Sequence, residues 1–364
     1  MRNQRLFSLD LLRGLDMFYL VVGGSVLKPL LKCFGVSDKT ISFVIGHPWF
    51  GFSLWDLIMP LFIFMAGAAV PFALGRRMTD GRPGPEYWRH VWTRVAVLWL
   101  LGMLAQGGLA TLDVHQMIPY SNTLQTIALG YLAAAVVYPM KSALVKIAVP
   151  VALLVIYGLL IHFGGDYTKD GSLAQRFDLA VWCRLLPADN TEIAYIRKYG
   201  YSWLLPSMMF PVITLAGCSC TQLLRSARNE WTKAKLLLAF GAAALIAGLL
   251  LEFAGVRSVK HFFSVSFTLQ AIGWSVLALD ALYVLTDILR FRRGMGLFML
   301  YGRFALTAYL CESVFREVLF AMSDRLFGGL ARLFPEPFEP VVIALGFSAL
   351  VTGLLWWRER NESR

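Results

Sequence analysis

The chain has 364 residues, of which 57% are hydrophobic and only 16% charged, and its formal net charge is +11. Because soluble domains carry about 25% charged residues, this composition excludes an ordinary soluble fold. The basic residues are scattered among apolar stretches instead of being gathered on one helix, which favours contact with anionic lipid over nucleic acid.

Apolar stretches of about 20 residues recur along the whole chain, and this is the length that a helix needs to cross the hydrocarbon of a bilayer. A helix satisfies its own backbone hydrogen bonds in lipid, so each stretch is predicted to be helical. The sequence therefore predicts an all-α, polytopic membrane protein with a single transmembrane domain over residues 1–364. The ten predicted spans are 8–32, 53–75, 89–109, 119–139, 143–163, 201–224, 233–254, 262–288, 295–320 and 337–357.

The distribution of Lys and Arg predicts the orientation of these spans. With the N-terminus in the cytoplasm, 20 basic residues fall on the cytoplasmic side and 12 on the other, leaving out two that lie inside a span. The positive-inside rule then favours both termini in the cytoplasm. The longest segment between spans, 164–200, is predicted to be extracytoplasmic, either as a cap or interfacial helix or as a lid over a substrate. Cys33 and Cys183 are both predicted on the extracytoplasmic side, so a disulfide between them stays an alternative in an oxidising compartment.

The first predicted span begins with three ionisable residues at intervals of three. Arg13 can pair with Asp10 or with Asp16 on one face of the helix. Intramembrane charges are functional candidates because they are costly to bury. An ion cluster that stabilises the start of the helix and a functional site are both compatible with this pattern.

The second predicted span follows the segment GHPWFGFSLWD, with His47 just before the span and Asp56 in its first turn. A carboxylate can orient an imidazole and stabilise its charge. Trp49 adds an aromatic wall beside the histidine. A histidine at the end of a span is more often a solvated loop residue. The neighbouring tryptophan and aspartate favour His47 as a base or nucleophile and Asp56 as the group that orients it.

Further polar side chains lie near the outer ends of later spans. The segments NTLQTIALGYL at 122–132 and FTLQAIGWSVL at 267–277 share a pattern that fits an internal repeat or a common need of helix packing. Amides at these depths can stabilise a developing oxyanion. The residues predicted to contact a substrate are Trp49, Asn122, Gln125, Gln270 and Glu312.

Four segments together carry a family resemblance: SLDLLRGLDMFYLVVGG, WFGFSLWDLIMPLFIFMAGAAVPFAL after a histidine, TLQTIALGYL, and YGRFALTAYL. They resemble the heparan-α-glucosaminide N-acetyltransferase-like membrane acyltransferases, in particular the bacterial relatives. The resemblance implies transfer of an acetyl group from cytoplasmic acetyl-CoA to an amino sugar or glycan on the far side of a bacterial inner membrane. It places the essential histidine at His47 and the acidic residue of the second motif at Asp56. The cysteines show no metal-ligand spacing and the sequence has no HExxH motif, so no metal is expected.

The chain also departs from these relatives. It has one residue fewer between the histidine and the aspartate, and Thr126 follows the Leu-Gln pair where the relatives commonly have Arg. Phe304 stands where they often have Asn. The identity of the acceptor is therefore left open.

The resemblance and the basic residues at the inner ends of spans predict the donor site. Arg13, Arg76 and Arg77 are the candidates for binding the nucleotide of acetyl-CoA. The expected partners are the bilayer and a small-molecule sugar or glycan, and a homodimer is one candidate assembly. Two other interpretations stay open: a transporter or flippase for a sugar or sugar-lipid, and a membrane scaffold without catalysis.

Overall fold

The computed structural model describes residues 6–106 and 108–362, and within them nearly all regular structure is helical. A short antiparallel hairpin pairs β1 (Met78–Thr79) with β2 (Arg82–Pro83). The α-helices are α1 (Phe7–Phe18), α2 (Lys28–Cys33), α3 (Asp38–Ile45), α4 (Ile58–Ala73), α5 (Pro85–Gln106), α6 (Thr123–Val137), α7 (Ala143–Gly164), α8 (Leu173–Leu185), α9 (Thr191–Tyr199), α10 (Met209–Leu224), α11 (Glu230–Phe253), α12 (Val265–Tyr283), α13 (Gly296–Arg303), α14 (Ala305–Ser313), α15 (Arg316–Ala331) and α16 (Glu339–Glu362).

Within the described residues, 7 helical segments are long and apolar enough to cross a membrane, which confirms the predicted all-α membrane class. Several include short π or 3-10 turns that continue an α-helix. A further apolar helix, Thr123–Val137, is shorter. The seven segments are Phe7–Cys33, Trp55–Arg77, Ala143–Gly164, Leu205–Leu224, Glu230–Phe253, Val265–Ile288 and Glu336–Glu362.

The remaining three predicted spans differ from the helices observed. The stretch 89–109 falls on α5, whose polar first turns lower its hydropathy, and residue 107 lies outside the described residues. The stretch 119–139 yields only α6, because the chain before Asn122 is not helical. The prediction of one helix over 295–320 is wrong: non-helical backbone at Phe304 and at Phe315 divides it into α13, α14 and α15.

The chain folds as two compact units. The first contains the described residues of Met1–Pro48, Ser53–Ile58 and Ala281–Arg364. The second contains the described residues of Trp49–Phe52 and Met59–Asp280.

In the first unit, glycines bring α1 and α13 into backbone contact. A Cβ at Gly14 would lie 1.8 Å from the carbonyl oxygen of Phe298, and a Cβ at Gly302 would lie 2.2 Å from that of Asp10. Small residues allow such close approach of helices in a membrane, where packing replaces the hydrophobic effect between helices. The contact fixes the part of α1 that carries Asp10 and Arg13, and α13 ends one residue after Gly302.

In the second unit, α10 is the central helix and is buried along most of its length. Glycines again allow close packing: a Cβ at Gly67 would lie 1.8 Å from the carbonyl oxygen of Thr214, and one at Gly217 would lie 2.0 Å from that of Phe64. These contacts hold α4 against α10. By contrast, only 11% of the apolar window of α7 and 22% of that of α11 are buried within the protein, so both helices present most of their side chains outward.

The segment predicted as a cap or lid, 164–200, contains α8 and α9. One link to the rest of the second unit is the Asp178 carboxylate of α8, which accepts backbone N–H groups of Trp203, Leu204 and Leu205. A carboxylate at a helix N-terminus satisfies amides that have no partner within the helix and complements the helix dipole. Asp178 thus fixes the turn that leads into α10. Burial raises the pKa of the Asp178 carboxyl to about 6.

Candidate active site

His47 and Asp56 form a hydrogen-bonded pair in the first unit. His47 follows α3, and its Nδ1 lies 2.6 Å from Oδ1 of Asp56. The Asp56 side chain is fully buried, whereas 32% of the His47 side chain is exposed. A carboxylate bonded to Nδ1 holds the proton on that nitrogen and leaves Nε2 as the basic atom of a neutral imidazole. This is the geometry of a histidine prepared to accept a proton.

Ser53 builds the turn that carries Asp56 to the histidine. Its backbone N–H donates to Oδ2 of Asp56 at 3.0 Å, and its hydroxyl accepts the N–H of Asp56 at 3.1 Å and donates to the carbonyl of Gly46 at 3.0 Å. The two ends of the segment are thereby joined, with Gly46 beside the histidine and Ser53 beside the carboxylate. The sequence prediction missed Ser53, although a serine three residues before an aspartate at the start of a helix is a recognisable capping pattern.

The helix start at Asp56 also packs on the middle of the first span. There the chain forms a π-helix over Tyr19–Leu27, and the Tyr19 ring meets the Trp55 ring edge-on at 5.3 Å. A Cβ at Gly24 would lie 2.5 Å from the Trp55 ring, so only glycine fits without a shift of the indole. π-Helical turns are frequent at functional sites. This contact fixes Trp55, the residue directly before Asp56.

The ionisable residues of α1 do not share one pairing. Arg13 forms an ion pair with Asp10 at 3.3 Å, and both side chains are about 30% exposed. Asp16 is buried, and its Oδ2 has no hydrogen-bond partner. Of the two pairings that the spacing allows, the structure shows the one with Asp10.

Arg76 and Arg77 belong to the second unit, where they form a 3-10 turn after α4. Arg77 donates to the carbonyl of Ala73, and Arg76 is exposed. Neither arginine forms an ion pair with a carboxylate among residues 6–106 and 108–362. Arg225 lies at the same end of this unit, where it donates to the carbonyl of Pro71 at 2.6 Å. An anionic group could therefore bind Arg76 or Arg77 without displacing a carboxylate from either arginine.

Trp49 takes part in an aromatic stack of the second unit. Its indole N–H donates to the carbonyl of Tyr167 at 2.8 Å, and its ring stacks on His261 with centroids 4.4 Å apart. Tyr201 covers His261 from a second direction at 4.3 Å. The indole is therefore held by contacts within the protein, and its predicted contact with substrate stays a prediction.

Asn122 and Gln125 form the N-terminal cap of α6. Oδ1 of Asn122 accepts the N–H of Leu124 at 2.8 Å, while Oε1 of Gln125 accepts the N–H groups of Ser121 and Asn122 at 3.0 and 3.1 Å. Gln125 also donates to the carbonyl of Pro119. This is a reciprocal capping box. The observed bonds give both amides a structural role, and their contact with substrate stays a prediction.

Gln270 and Glu312 also have partners within their own units. Gln270 donates to Glu252 of α11 at 2.6 Å. The glutamine of the second Thr-Leu-Gln segment therefore bonds to a neighbouring helix, whereas Gln125 of the first segment caps the helix to which it belongs. Glu312 forms an ion pair with Arg316 across the break between α14 and α15. The remaining Glu312 oxygen, Oε2, is buried without a hydrogen-bond partner. The residues predicted to contact substrate are thus divided between the two units, with Glu312 in the first and the other four in the second.

No group of three or more His, Cys, Asp or Glu side chains that could hold a metal ion occurs among the described residues. All five cysteines, Cys33 and Cys183 among them, are free.

The helices and the pairing of His47 with the buried Asp56 carboxylate define a multi-pass membrane protein with a candidate acid–base site. The family model described as heparan-alpha-glucosaminide N-acetyltransferase, catalytic, matches residues 5–249. The chain belongs to this family, and it is a membrane acyltransferase. The matched region includes His47, Asp56 and the three candidate arginines. A search of curated proteins found no match.

Proposed function

We propose that the protein transfers an acetyl group from acetyl-CoA to an amino sugar or glycan, with His47 as the reacting group. The observation that supports this most directly is the bond between His47 Nδ1 and the buried Asp56 carboxylate. It lies in the region that the acyltransferase family model matches. The family supplies the reaction class, and the pair supplies a base with a defined tautomer.

The proposed reaction uses the pair as a general base. The neutral amine of the acceptor attacks the thioester carbonyl carbon, and Nε2 of His47 takes the proton that the nitrogen loses. The C–N bond forms and the C–S bond breaks, and the imidazolium returns its proton to the leaving thiolate. Asp56 keeps the first proton on Nδ1 and stabilises the charged ring. A route through an acetylated His47 uses the same atoms in two steps.

The acyl donor carries phosphates, so its binding requires cations that are not already neutralised. Arg76 and Arg77 meet that requirement because they form no ion pair within the described residues. Arg13 would bind a phosphate in exchange for its contact with Asp10. We assign these three arginines to the donor.

The Lys and Arg asymmetry supports a donor side in the cytoplasm and an acceptor on the opposite face. We therefore propose the inner membrane of a bacterium as the location, with both termini in the cytoplasm and the segment 164–200 outside. Cysteine labelling of intact cells tests this placement. Residue 170 should react from outside and residue 230 only after permeabilisation, and external labelling of residue 230 would reverse the orientation.

Purified protein in proteoliposomes, supplied with radiolabelled acetyl-CoA, provides the direct test of function. A panel of amino sugars and glycans is added on the opposite side of the membrane, and products are identified by mass spectrometry. We expect an acetylated amine and free CoA in equal amounts. Saturable sugar flux that does not require acetyl-CoA would instead identify a transporter.

The donor assignment has its own matched pair of variants. Arg13→Ala should weaken acetyl-CoA binding at least about tenfold, the size expected for the loss of one hydrogen bond to a charged group, roughly 1.5 kcal/mol or more. Asp10→Asn breaks the same ion pair but keeps the arginine, so it should bind acetyl-CoA at least as well as the wild type. Equal weakening by both variants would show that the ion pair supports α1 and that Arg13 does not bind the donor.

A further inference from the structure

An apolar groove lies on the outward side of the second unit, with α10 at its base and α7 and α11 at its sides. Its volume is about 450 Å³, within the range of about 300–1,000 Å³ of small-molecule sites. The side chains that line it are almost all aliphatic. Ile147 and Val151 of α7 and Phe240 of α11 line its sides, and all three are exposed.

The groove has a polar end and an apolar end. Lys146, near the start of α7, is its only charged lining residue. From Lys146 the lining continues along α7 as far as Leu154, which is about 12 Å at 1.5 Å per residue. Along α10 it runs from Leu223 to Val212, about 16 Å by the same measure. These lengths match half of a hydrocarbon core of about 30 Å.

Lys146 is available to an anion at the mouth of the groove. It is half-buried and forms no ion pair with a carboxylate within residues 6–106 and 108–362. Its ammonium group lies 5.8 Å from the centre of the Tyr138 ring, which holds the charge at this level without neutralising it. Ser219 of α10, which is exposed and lines the groove, adds a hydroxyl.

We propose that the groove binds one acyl chain of an anionic phospholipid, whose phosphate pairs with Lys146. The depth of the groove equals that of one leaflet, its walls are hydrocarbon, and the single cation lies where a headgroup would lie. The groove shares no lining residue with the His47–Asp56 pair, and nothing in the assigned reaction uses it. The lipid would belong to the leaflet on the side of the connection between α6 and α7, because Lys146 lies near the start of α7.

The test compares two lipids with the same acyl chains, phosphatidylglycerol and phosphatidylcholine, each carrying a photoactivatable group in one chain. The full-length protein is reconstituted with each lipid and irradiated, and labelled peptides are identified by mass spectrometry. We expect label on the groove faces of α7, α10 and α11, with phosphatidylglycerol favoured about fivefold, since one basic residue near the surface is worth about 1 kcal/mol.

Two variants separate the headgroup from the chain. Lys146→Ala should abolish the preference for phosphatidylglycerol but keep chain labelling, while Lys141→Ala, an exposed lysine outside the groove, should change neither. Ala243→Phe should fill the groove and reduce labelling of both lipids at least fivefold. Ala239→Phe, on the same helix but outside the groove, is the control. Val151→Phe serves as a second blocking variant if Ala243→Phe does not fold.

Uniform labelling of the outward faces, or groove labelling that survives both blocking variants, would overturn the proposal. Displacement of phosphatidylglycerol by an equimolar polyprenyl phosphate would also overturn it, because the groove would then belong to a lipid-linked substrate.

Discussion

Two histidine–aspartate pairs in this protein have nearly the same contact distance and very different surroundings. Nδ1 of His47 lies 2.6 Å from Asp56, and Nδ1 of His115 lies 2.8 Å from Asp189. The Asp56 side chain is fully buried, whereas that of Asp189 is 73% exposed. Water competes for an exposed carboxylate but not for a buried one, so the first pair favours a single tautomer more strongly than the second. Burial of the acid, and not the distance, separates the candidate site from a surface ion pair.

The neighbours of each pair support the same distinction. Asp56 is held by Ser53, whose bonds serve only to place the carboxylate and the backbone beside His47. The second pair lies at the junction where α9 is tied to the loop before α6, since the N–H of Thr191 donates to the carbonyl of His115. The hydrogen bond that the Asp189 carboxylate accepts from His115 raises the pKa of the His115 imidazole. The second pair thus lies at a surface turn, where both of its side chains are exposed.

The largest expected effect is the difference in acetyl transfer between the variants that lack one or the other histidine. His47→Ala should lower acetyl transfer by at least about a hundredfold, the low end of general-base effects. His115→Ala removes an exposed pair that touches no proposed substrate, so transfer should change less than about twofold. Initial rates with labelled acetyl-CoA measure both. Size-exclusion profiles and acetyl-CoA binding should stay unchanged in His47→Ala, because a histidine at the edge of a span contributes little packing. A folded His47→Ala protein with the native rate would remove His47 from the mechanism.

Removing the charge of each aspartate tests whether Asp56 holds the ring proton of His47 on Nδ1. In Asp56→Asn, the amide oxygen can still accept the N–H of Ser53, but the amide NH₂ then faces Nδ1 of His47. This would force the ring proton onto Nε2, the atom that must act as the base. Transfer should fall about 10- to 100-fold, as for other groups that orient a functional histidine.

Asp189→Asn is the matched control and should leave transfer unchanged. The Asp56→Asn protein should also show a shifted imidazole resonance for His47 in nitrogen NMR, which a purely structural role would not produce. If both asparagine variants behave alike, burial is not the distinguishing feature of the first pair.

Ser53→Ala should produce a smaller loss. It removes the hydroxyl bonds to Gly46 and to the N–H of Asp56, but leaves the carboxylate and the histidine in place. A loss of about 0.5–1.5 kcal/mol of positioning corresponds to a two- to tenfold decrease in kcat with little change in KM. Ser37→Ala, which removes the cap of α3, is a comparable change away from Asp56. Ser53→Thr keeps the hydroxyl and should restore most of the rate.

The last prediction concerns stability of the segment around the second pair. Glu192 of α9 is buried, and burial raises the pKa of its carboxyl to about 8 from an ordinary value of 4.5. Between these values the folded protein binds more protons than the unfolded chain, so its stability falls as the pH rises from about 5 to 8.

Glu192→Gln should remove most of this decrease. The loss of unfolding free energy between pH 5 and pH 9 should be smaller in Glu192→Gln than in the wild type by at least about 1.4 kcal/mol, the equivalent of one pKa unit. Thermal unfolding midpoints at the two pH values measure it. Asp166→Asn is the control, because hydrogen bonds from Thr168 lower the pKa of the Asp166 carboxyl and its contribution lies below pH 4. A pH dependence that is unchanged in Glu192→Gln would show that another group is responsible.

The sequence alone determined the class of the protein and its most promising pair of residues. Long apolar runs predict membrane helices because length and hydropathy are local properties of the chain. The placement of His47 just before Asp56 at the start of a span predicted their contact, since nine residues of turn and helix start can bring the two together. The motifs of the first 75 residues also carried the family resemblance, which the family model confirms.

Only the tertiary structure decided which polar groups have partners and where helices break. The sequence grouped Asn122 and Gln125 with the substrate residues, yet their amides form the cap of α6, a pattern that the spacing Asn-x-x-Gln could have indicated. The backbone contact of Gly14 with α13 joins residues distant in sequence, and the break at Phe304 interrupts an apolar run that predicts one helix. Hydrophobic pattern fixes whether a helix forms, but the bonds of a buried polar side chain depend on which neighbours the fold brings within 3 Å.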